Sequence, residues 1–101
     1  ELGNQEAYQR ARSEAQVLLD RCTRPRGHRF DRVGILTGGY SVRDVDAFAD
    51  RIVRYLQQGT PLTIDDVRGV VFAAQRGGYQ ETQVDVVLDA VVDLLQAVKT
   101  P

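Results

Sequence analysis

The sequence predicts an all-α fold, a small helical domain of about four helices built from two repeated turn-helix units. Apolar residues recur at helical spacing in several long stretches. In addition, the segment GGYSVRDVDAFAD at 38–50 returns thirty-nine residues later as GGYQETQVDVVLD at 77–89. A chain of 101 residues has room for one compact core but not for two. We therefore treat 1–101 as a single helical domain, or as a fragment of a longer protein.

The first helix is predicted over 5–22. Its apolar side chains recur at the spacing of one helix face, and they are Tyr8, Ala11, Ala15, Leu18, Leu19 and Cys22. Pro25 and Gly27 follow, so the helix should end before them. The basic stretch 24–37 then predicts a loop, in which one helical turn over 30–36 is an alternative.

The first repeat unit is predicted over 30–58. Its GGY turn at 38–40 leads into a helix that should begin directly after Ser41, because Ser41 and Asp44 form a variant of the capping box. Gly59, with a proline two residues later, should end this helix.

The second repeat unit is predicted over 62–98. A short helix of about two turns should lie within 62–72, capped by Thr63, although the valines at 70 and 71 leave a strand as the alternative there. The second GGY turn then leads into a helix over about 81–98. Its valines favour a strand by propensity, but its length and helical period favour the helix.

The repeat itself predicts a supersecondary unit. Alignment of 38–56 with 77–95 matches eight of nineteen positions. We expect each tyrosine to pack over the first turn of its own helix. Each shared aspartate should accept hydrogen bonds from loop amides or an arginine, or else lie in solvent. The residues assigned to the turns and helix starts are Gly38, Gly39, Tyr40, Asp46, Gly77, Gly78, Tyr79 and Asp85. Because one unit has a single apolar stripe to bury, the two should pack against each other or against a partner.

These motifs resemble a known family. The patterns GGY-x4-VD-x-F and GGY-x4-VD-x2-LD are similar to the signature of the N-terminal domain of DivIVA, the bacterial polar and septal scaffold. In that domain a Gly-Tyr turn precedes a Val-Asp-x-Phe-Leu helix. The segment LTIDDVRGVVFAAQRGGY at 62–79 resembles its opening Leu-Thr-Pro-x-Asp-Val helix, its Phe and its Arg-Gly-Tyr turn. The resemblance covers roughly 30–95 and is greatest to small bacterial proteins with tandem copies.

The resemblance implies a non-enzymatic protein that dimerises through a coiled coil, docks on curved membrane and recruits cell-wall and division proteins. In the family, the turn before the tyrosine exposes an aromatic or aliphatic residue to lipid beside a basic one. This chain departs from that pattern, with Leu-Thr-Gly-Gly at 36–39 and Gln-Arg-Gly-Gly at 75–78, so the second turn keeps Arg76 without an aromatic residue. The last helix has little more than two heptads of apolar spacing, which favours domain core over a coiled coil.

Composition argues against several classes of protein. A net charge of -1 supplies no field to attract nucleic acid, and no apolar run approaches a membrane-spanning length. The single Cys22 cannot form an internal disulfide, which favours a reducing cytoplasm. His28 has no catalytic partner that the sequence can place beside it, and motifs for phosphate or metal binding are lacking. We expect no enzyme activity, no cofactor, no metal site and no small-molecule substrate.

Two charged segments are candidates for binding. The basic one contains Arg24, Arg26, Arg29, Phe30 and Arg32, and it would meet anionic lipid or an acidic protein, or else form a solvated loop. The acidic one repeats every four residues along the last helix, as Glu81, Asp85, Asp89 and Asp93. Like charges at this spacing repel. We expect compensation first from the arginines at 24–32 or from Arg43, Arg51 and Arg54, next from a basic partner protein, and last from a cation.

The sequence therefore predicts a non-catalytic protein-interaction or scaffold module, cytoplasmic, with protein partners that include a second copy of itself. The alternative is a peripheral membrane-binding module that uses the basic loop 24–32. A helix-turn-helix protein that binds DNA is a third class, which the net charge disfavours.

Overall fold

The computed structural model describes the backbone of residues 2–99 and the side chains of residues 5–98, so positions 1, 100 and 101 of the predicted domain lie outside it. The elements are α1 (Leu2–Cys22), β1 (Gly38–Tyr40), α2 (Val42–Gln58), α3 (Ile64–Gly69), β2 (Ala74–Arg76) and α4 (Glu81–Lys99). A small, mostly helical domain is thus confirmed. The all-α prediction is corrected by the two-stranded antiparallel sheet of β1 and β2, which pairs Gly39 with Gln75.

Helix α2 begins and ends where its capping residues predict. The Ser41 hydroxyl accepts a hydrogen bond from the Asp44 amide at 3.2 Å, and Gly59 ends the helix in the left-handed conformation with φ of 71°. The second half of the predicted capping box is absent, because the Asp44 carboxylate accepts instead from the Ala73 amide at 3.0 Å. This bond ties the start of α2 to the segment that precedes β2.

Helix α3 has close to the two turns predicted within 62–72. Thr63 and Asp66 form a complete capping box, in which each side chain accepts from the other residue's amide at 3.0 Å. The helix stops at Gly69, and Val70 is already extended, with φ of -68° and ψ of 138°. β-branched side chains at this end favour the extended backbone, which leads into β2.

Before β1, the stretch 31–33 is extended and a tight turn follows at 34–37, so the helical turn considered over 30–36 does not form. Its backbone groups pair with the second GGY turn: the Val33 amide donates to the Gly78 carbonyl at 2.8 Å, and the Gln80 amide donates to the Asp31 carbonyl at 2.9 Å. The short stretch 31–33 therefore lies beside Tyr79 as an additional piece of sheet. These long-range bonds satisfy the Val33 amide and the Asp31 carbonyl, which a helical turn would have paired locally.

The hydrophobic core lies where α1 packs across α2 and α4. The buried side chains of its main cluster are Leu18, Cys22, Phe48, Ala49, Ile52, Leu62, Val67, Val91, Leu94 and Leu95. A second cluster, of Phe30, Val45, Tyr79 and Val84, sits under the GGY turns. The two repeat units thus pack against each other and share one hydrophobic core, and α1 packs across their helices.

Candidate interaction site at the junction of the two repeats

The two GGY turns meet directly. Tyr40 and Tyr79 exchange backbone hydrogen bonds, each amide donating to the other residue's carbonyl at 3.0 Å. Gly39 and Gly78 allow this approach, because a Cβ at Gly39 would collide with the Tyr79 carbonyl and a Cβ at Gly78 would collide with the Tyr40 carbonyl. These reciprocal contacts give the junction an approximate local twofold axis between the tyrosines.

The tyrosine side chains cross from one unit to the other, which corrects the expectation that each packs over its own helix. The Tyr79 hydroxyl donates to Asp46 at 2.7 Å, and the Tyr40 hydroxyl donates to Asp85 at 2.9 Å. The repeated tyrosine and the repeated aspartate therefore form two equivalent bonds between the units. Neither bond can form within a single copy of the repeat.

The first of these bonds lies in a buried polar cluster, which we call the closed site and define by Tyr79, Asp46, Asp50 and Arg29. Asp46 and Arg29 expose only 4% and 6% of their surface. Besides the tyrosine, Asp46 accepts from the Gly27 amide at 2.9 Å. The Arg29 amide in turn donates to the Tyr79 hydroxyl at 3.3 Å. The buried charges are thus paired and hydrogen-bonded, as burial requires.

All three guanidinium nitrogens of Arg29 donate hydrogen bonds inside the closed site. Nε donates to the Arg24 carbonyl at 2.9 Å, Nη1 donates to the Asp46 carbonyl at 2.8 Å, and Nη2 donates to the Asp50 carboxylate at 2.9 Å. The Nη1 atom also lies 3.8 Å from the Asp46 carboxylate. The planar fork of an arginine therefore fills the space between Asp46 and Asp50 of α2.

Asp50 closes the outer side of this site. Its carboxylate accepts from Arg29 and, at 2.7 Å, from the exposed Arg26. Burial by itself would raise the pKa of Asp50, but the hydrogen bonds and charges of the two arginines outweigh burial and hold that pKa below its ordinary value.

The ring of Phe30 covers the closed site from the side of the basic loop. It meets the Tyr79 ring edge-on, with 5.3 Å between the two ring centroids. The Arg21 guanidinium lies 5.3 Å from the centroid of the Phe30 ring. Phe72 packs against Tyr40 in a tilted arrangement, with 5.2 Å between the ring centroids. Each aromatic residue that precedes a GGY turn thus contacts the tyrosine of the other unit.

The second tyrosine-aspartate bond lies beside a surface cavity, which we call the open groove. It is defined by Tyr40, Asp85, Asp89 and an apolar wall, and its volume is about 580 Å³. The wall consists of Val67, Val70, Val71, Phe72, Leu88 and Val92. Asp85 and Asp89 occupy the positions of Asp46 and Asp50 in the repeat, but both are exposed.

The acidic residues of α4 are not compensated in the way the sequence predicts. Arg26 and Arg29 pair with Asp50, and Arg51 pairs with Asp66 at 3.3 Å. Among the side chains of residues 5–98, no ion pair includes Glu81, Asp85, Asp89 or Asp93. Arg68 lines the open groove, yet it forms no ion pair with these carboxylates within the described part of the chain. The compensation expected first is therefore wrong for these four residues.

The other candidate residues lie at the junction or on the surface. The Arg32 Nε donates to the Gly77 carbonyl at 2.6 Å, which holds the two turns together. Arg24 is exposed and contributes its carbonyl to Arg29. Arg76 is exposed and pairs with Gly38 in the sheet. Within the basic segment, only Arg29 and Phe30 are buried, whereas Arg24, Arg26 and Arg32 are exposed.

A feature that the sequence analysis missed is the turn at 34–37, closed by a bond of 2.8 Å from the Thr37 amide to the Gly34 carbonyl. Ile35 and Leu36 form its corner, and they expose 83% and 82% of their surface. Polar or glycine residues are usual at such positions. The signal was visible as two adjacent aliphatic residues between Gly34 and Thr37.

Comparison of the chain with protein-family models, curated proteins and solved structures found no match. The likeness to the DivIVA domain therefore rests on the motifs of this sequence and stays a prediction.

The single thiol of the chain, Cys22, is buried. Burial raises the pKa of the Cys22 thiol to about 11, so this cysteine is a poor nucleophile. No group of three potential metal ligands occurs in the part of the chain that the structure describes. Likewise, none of the helices within residues 2–99 is both long and apolar enough to cross a bilayer. The junction of the two repeats can bind charged groups and hold them in place through ion pairs and hydrogen bonds.

Proposed function

We propose that this chain is a non-catalytic interaction module of a scaffold protein, similar in role to DivIVA-type proteins of bacterial division and polar growth. Its buried charged groups, Arg29 and Asp46, bind each other and the Tyr79 hydroxyl of the other unit, and they are not displayed in a cleft. A binding role therefore depends on surfaces that remain uncovered.

The observation that carries this proposal is an apolar seam between α1 and α4, which we define by Val17, Val86 and Ala90. Val17 and Ala90 line the same shallow groove of about 230 Å³. Val86 lies one turn before Ala90 on α4, and both valines are mostly exposed. Exposed apolar side chains on neighbouring helices favour contact with an amphipathic helix, including α1 or α4 of a second copy.

Light scattering and sedimentation equilibrium test self-association through this seam. We expect the mass of the chain to rise above the 11.3 kDa of one copy as its concentration increases. The Val17→Glu variant should weaken association by about tenfold or more, because a carboxylate would be buried in the contact. Gln9→Glu, an exposed site on the same helix, is the matched control and should associate like the wild type. A strict monomer at high concentration would contradict self-association.

A second candidate function is peripheral membrane binding, and the exposed corner formed by Ile35 and Leu36 favours it. The exposed residues Arg32 and Arg76 lie on the flanking strand segments, where they would face anionic headgroups. This arrangement moves the membrane hypothesis from the basic loop 24–32 to the turn 34–37, because Arg26 and Arg29 are paired with Asp50.

Co-sedimentation with anionic vesicles separates the two candidates. Membrane binding requires that the chain sediment with the vesicles and that the double substitution Ile35→Ser, Leu36→Ser abolish this. Val71→Ser removes an equally exposed aliphatic side chain at a different surface and serves as the control. Absence of binding at low salt would leave the protein-interaction proposal alone.

A further inference from the structure

We propose that the open groove binds an arginine side chain presented by a peptide segment of a partner protein. This inference rests on the proposed interaction function and deepens it by naming the chemistry of the partner. The template for it is the closed site, in which the chain binds an arginine of its own.

The two sites use equivalent residues. In the closed site, a tyrosine from the other unit holds the first aspartate, and the guanidinium of Arg29 reaches the carboxylate of the second aspartate. In the open groove, Tyr40 holds Asp85 in the same way, and Asp89 follows one helical turn later. A pair of carboxylates that already binds a guanidinium in one copy is therefore displayed again in the other.

The chain supplies no arginine at the equivalent position of the second unit. In the first unit, Arg29 directly precedes Phe30, the ring that contacts Tyr79. In the second unit, the residue that directly precedes Phe72 is Val71, which exposes 86% of its surface and lines the groove. The difference between arginine and valine at this position leaves Asp85 and Asp89 facing solvent.

The groove also has the shape and the wall that such a ligand needs. Its volume of about 580 Å³ falls in the range of about 300 to 1,000 Å³ that is typical of ligand pockets. Phe72 and Leu88 contribute apolar surface for the aliphatic stem of an arginine. The same surface can contact an apolar residue next to that arginine in the peptide, just as Phe30 follows Arg29 in the closed site. The fork of a guanidinium can reach two carboxylates at once, which a lysine ammonium does less well.

The experiment uses the chain's own arginine segment as the probe. A fluorescent peptide RPRGHRFDR, the sequence of 24–32, is titrated with the full chain while anisotropy is measured. We expect saturable binding that weakens by about tenfold or more in the double variant Asp85→Asn, Asp89→Asn. Asp93→Asn removes a charge from α4 outside the groove lining and should change the affinity less than about twofold. A peptide carrying Arg29→Lys should bind several times more weakly.

A second variant introduces an arginine at position 71, the position in the second unit that is equivalent to Arg29. Val71→Arg places a guanidinium of the chain itself at the groove, where it should compete with the peptide and weaken binding, whereas Val71→Gln should not. Circular dichroism on each variant shows that the helices are intact. Weaker binding by Val71→Arg alone supports the proposed site.

Three outcomes would overturn the inference. Failure of the peptide to bind at about millimolar concentration is the first. Unchanged affinity in the double variant is the second, because the peptide would then bind elsewhere, for example by displacing the internal loop from the closed site. Loss of self-association in the double variant is the third, since the occupant would then be a second copy. Peptide titration of the Val17→Glu variant separates this inference from the proposed self-association, as the seam and the groove lie on different faces of α4.

Discussion

The closed site and the open groove are built from the same repeated residues but serve different ends. In the closed site, Tyr79 and Asp46 are buried and Arg29 fills the space between the aspartates. In the open groove, Tyr40 and Asp85 make the same bond at the surface, and Arg68, which lines the groove, forms no ion pair with Asp85 or Asp89 within the described residues. Both sites therefore share the tyrosine-aspartate bond. The presence of an arginine determines whether the aspartate pair is buried and stabilises the fold or stays exposed to solvent.

Removal of the arginine should have the largest effect on the closed site. Arg29→Met leaves Asp46 buried without its cation, and we expect the free energy of unfolding to fall by about 3 kcal/mol. Denaturant titration measures this loss. Arg43→Met, at an exposed position of α2, should stay within about 0.5 kcal/mol of the wild type. Equal stability of the two variants would show that the closed site contributes no more than surface charge.

The glycines of the turns test the frame that both sites share. A Cβ at Gly39 or Gly78 would meet a main-chain carbonyl, so Gly39→Ala and Gly78→Ala should each lower the free energy of unfolding by about 2 to 3 kcal/mol. Gly38→Ala meets no atom within 4 Å and is the control. Thermal and denaturant unfolding of the three variants compare them. A large difference between Gly39→Ala and Gly78→Ala would break the internal symmetry.

Loss of a hydroxyl compares the two bonds directly. Tyr79→Phe removes a buried bond to a carboxylate and should lower the free energy of unfolding by about 2 kcal/mol. Tyr40→Phe removes the exposed counterpart and should cost less than about 1 kcal/mol, because water can replace the phenol at Asp85. Denaturant titration of both single variants gives the difference. If Tyr40→Phe proves as costly as Tyr79→Phe, exposure does not distinguish the sites.

The smallest effect is expected in the alkaline titration of Tyr79 and Tyr40. Burial, followed by the bond to Asp46, raises the pKa of Tyr79 from 10.0 to about 12, and the bond to Asp85 is the main cause that raises the pKa of Tyr40 to about 12. Because the folded chain favours the neutral phenol, this stabilisation is complete below pH 10 and is lost as the pH rises through 12. Tyrosinate absorbance of the wild type, minus that of each Phe variant, follows each group. Ionisation of either tyrosine near its ordinary pKa in a folded chain would contradict the two bonds.

Local signals were sufficient to predict most helices. Ser41 and Gly59 mark the ends of α2, and the apolar period of the last helix outweighs its valines. The repeat also indicated that the two aspartates accept hydrogen bonds near the helix starts. These features depend on residues a few positions apart, which a single sequence displays.

Contacts between distant segments were not predictable in the same way. The pairing of β1 with β2 and the crossing of Tyr79 to Asp46 join residues more than thirty positions apart. Arg29 looked like one basic residue among several, because its burial depends on where α2 lies. The open groove is likewise defined by a difference, Val71 in place of an arginine, that has meaning only after the two units are superposed.

The internal twofold axis has a consequence for valency. Two identical chains that met through such an axis would carry two identical sites, both with the arginine or both without it. Fusion of the units into one polypeptide removes that restriction, since each copy can change independently of the other. One aspartate pair has been committed to the stability of the fold, and its duplicate is displayed once per chain. An assembly of such chains would therefore present as many grooves as it has subunits, at spacings set by the contacts between them.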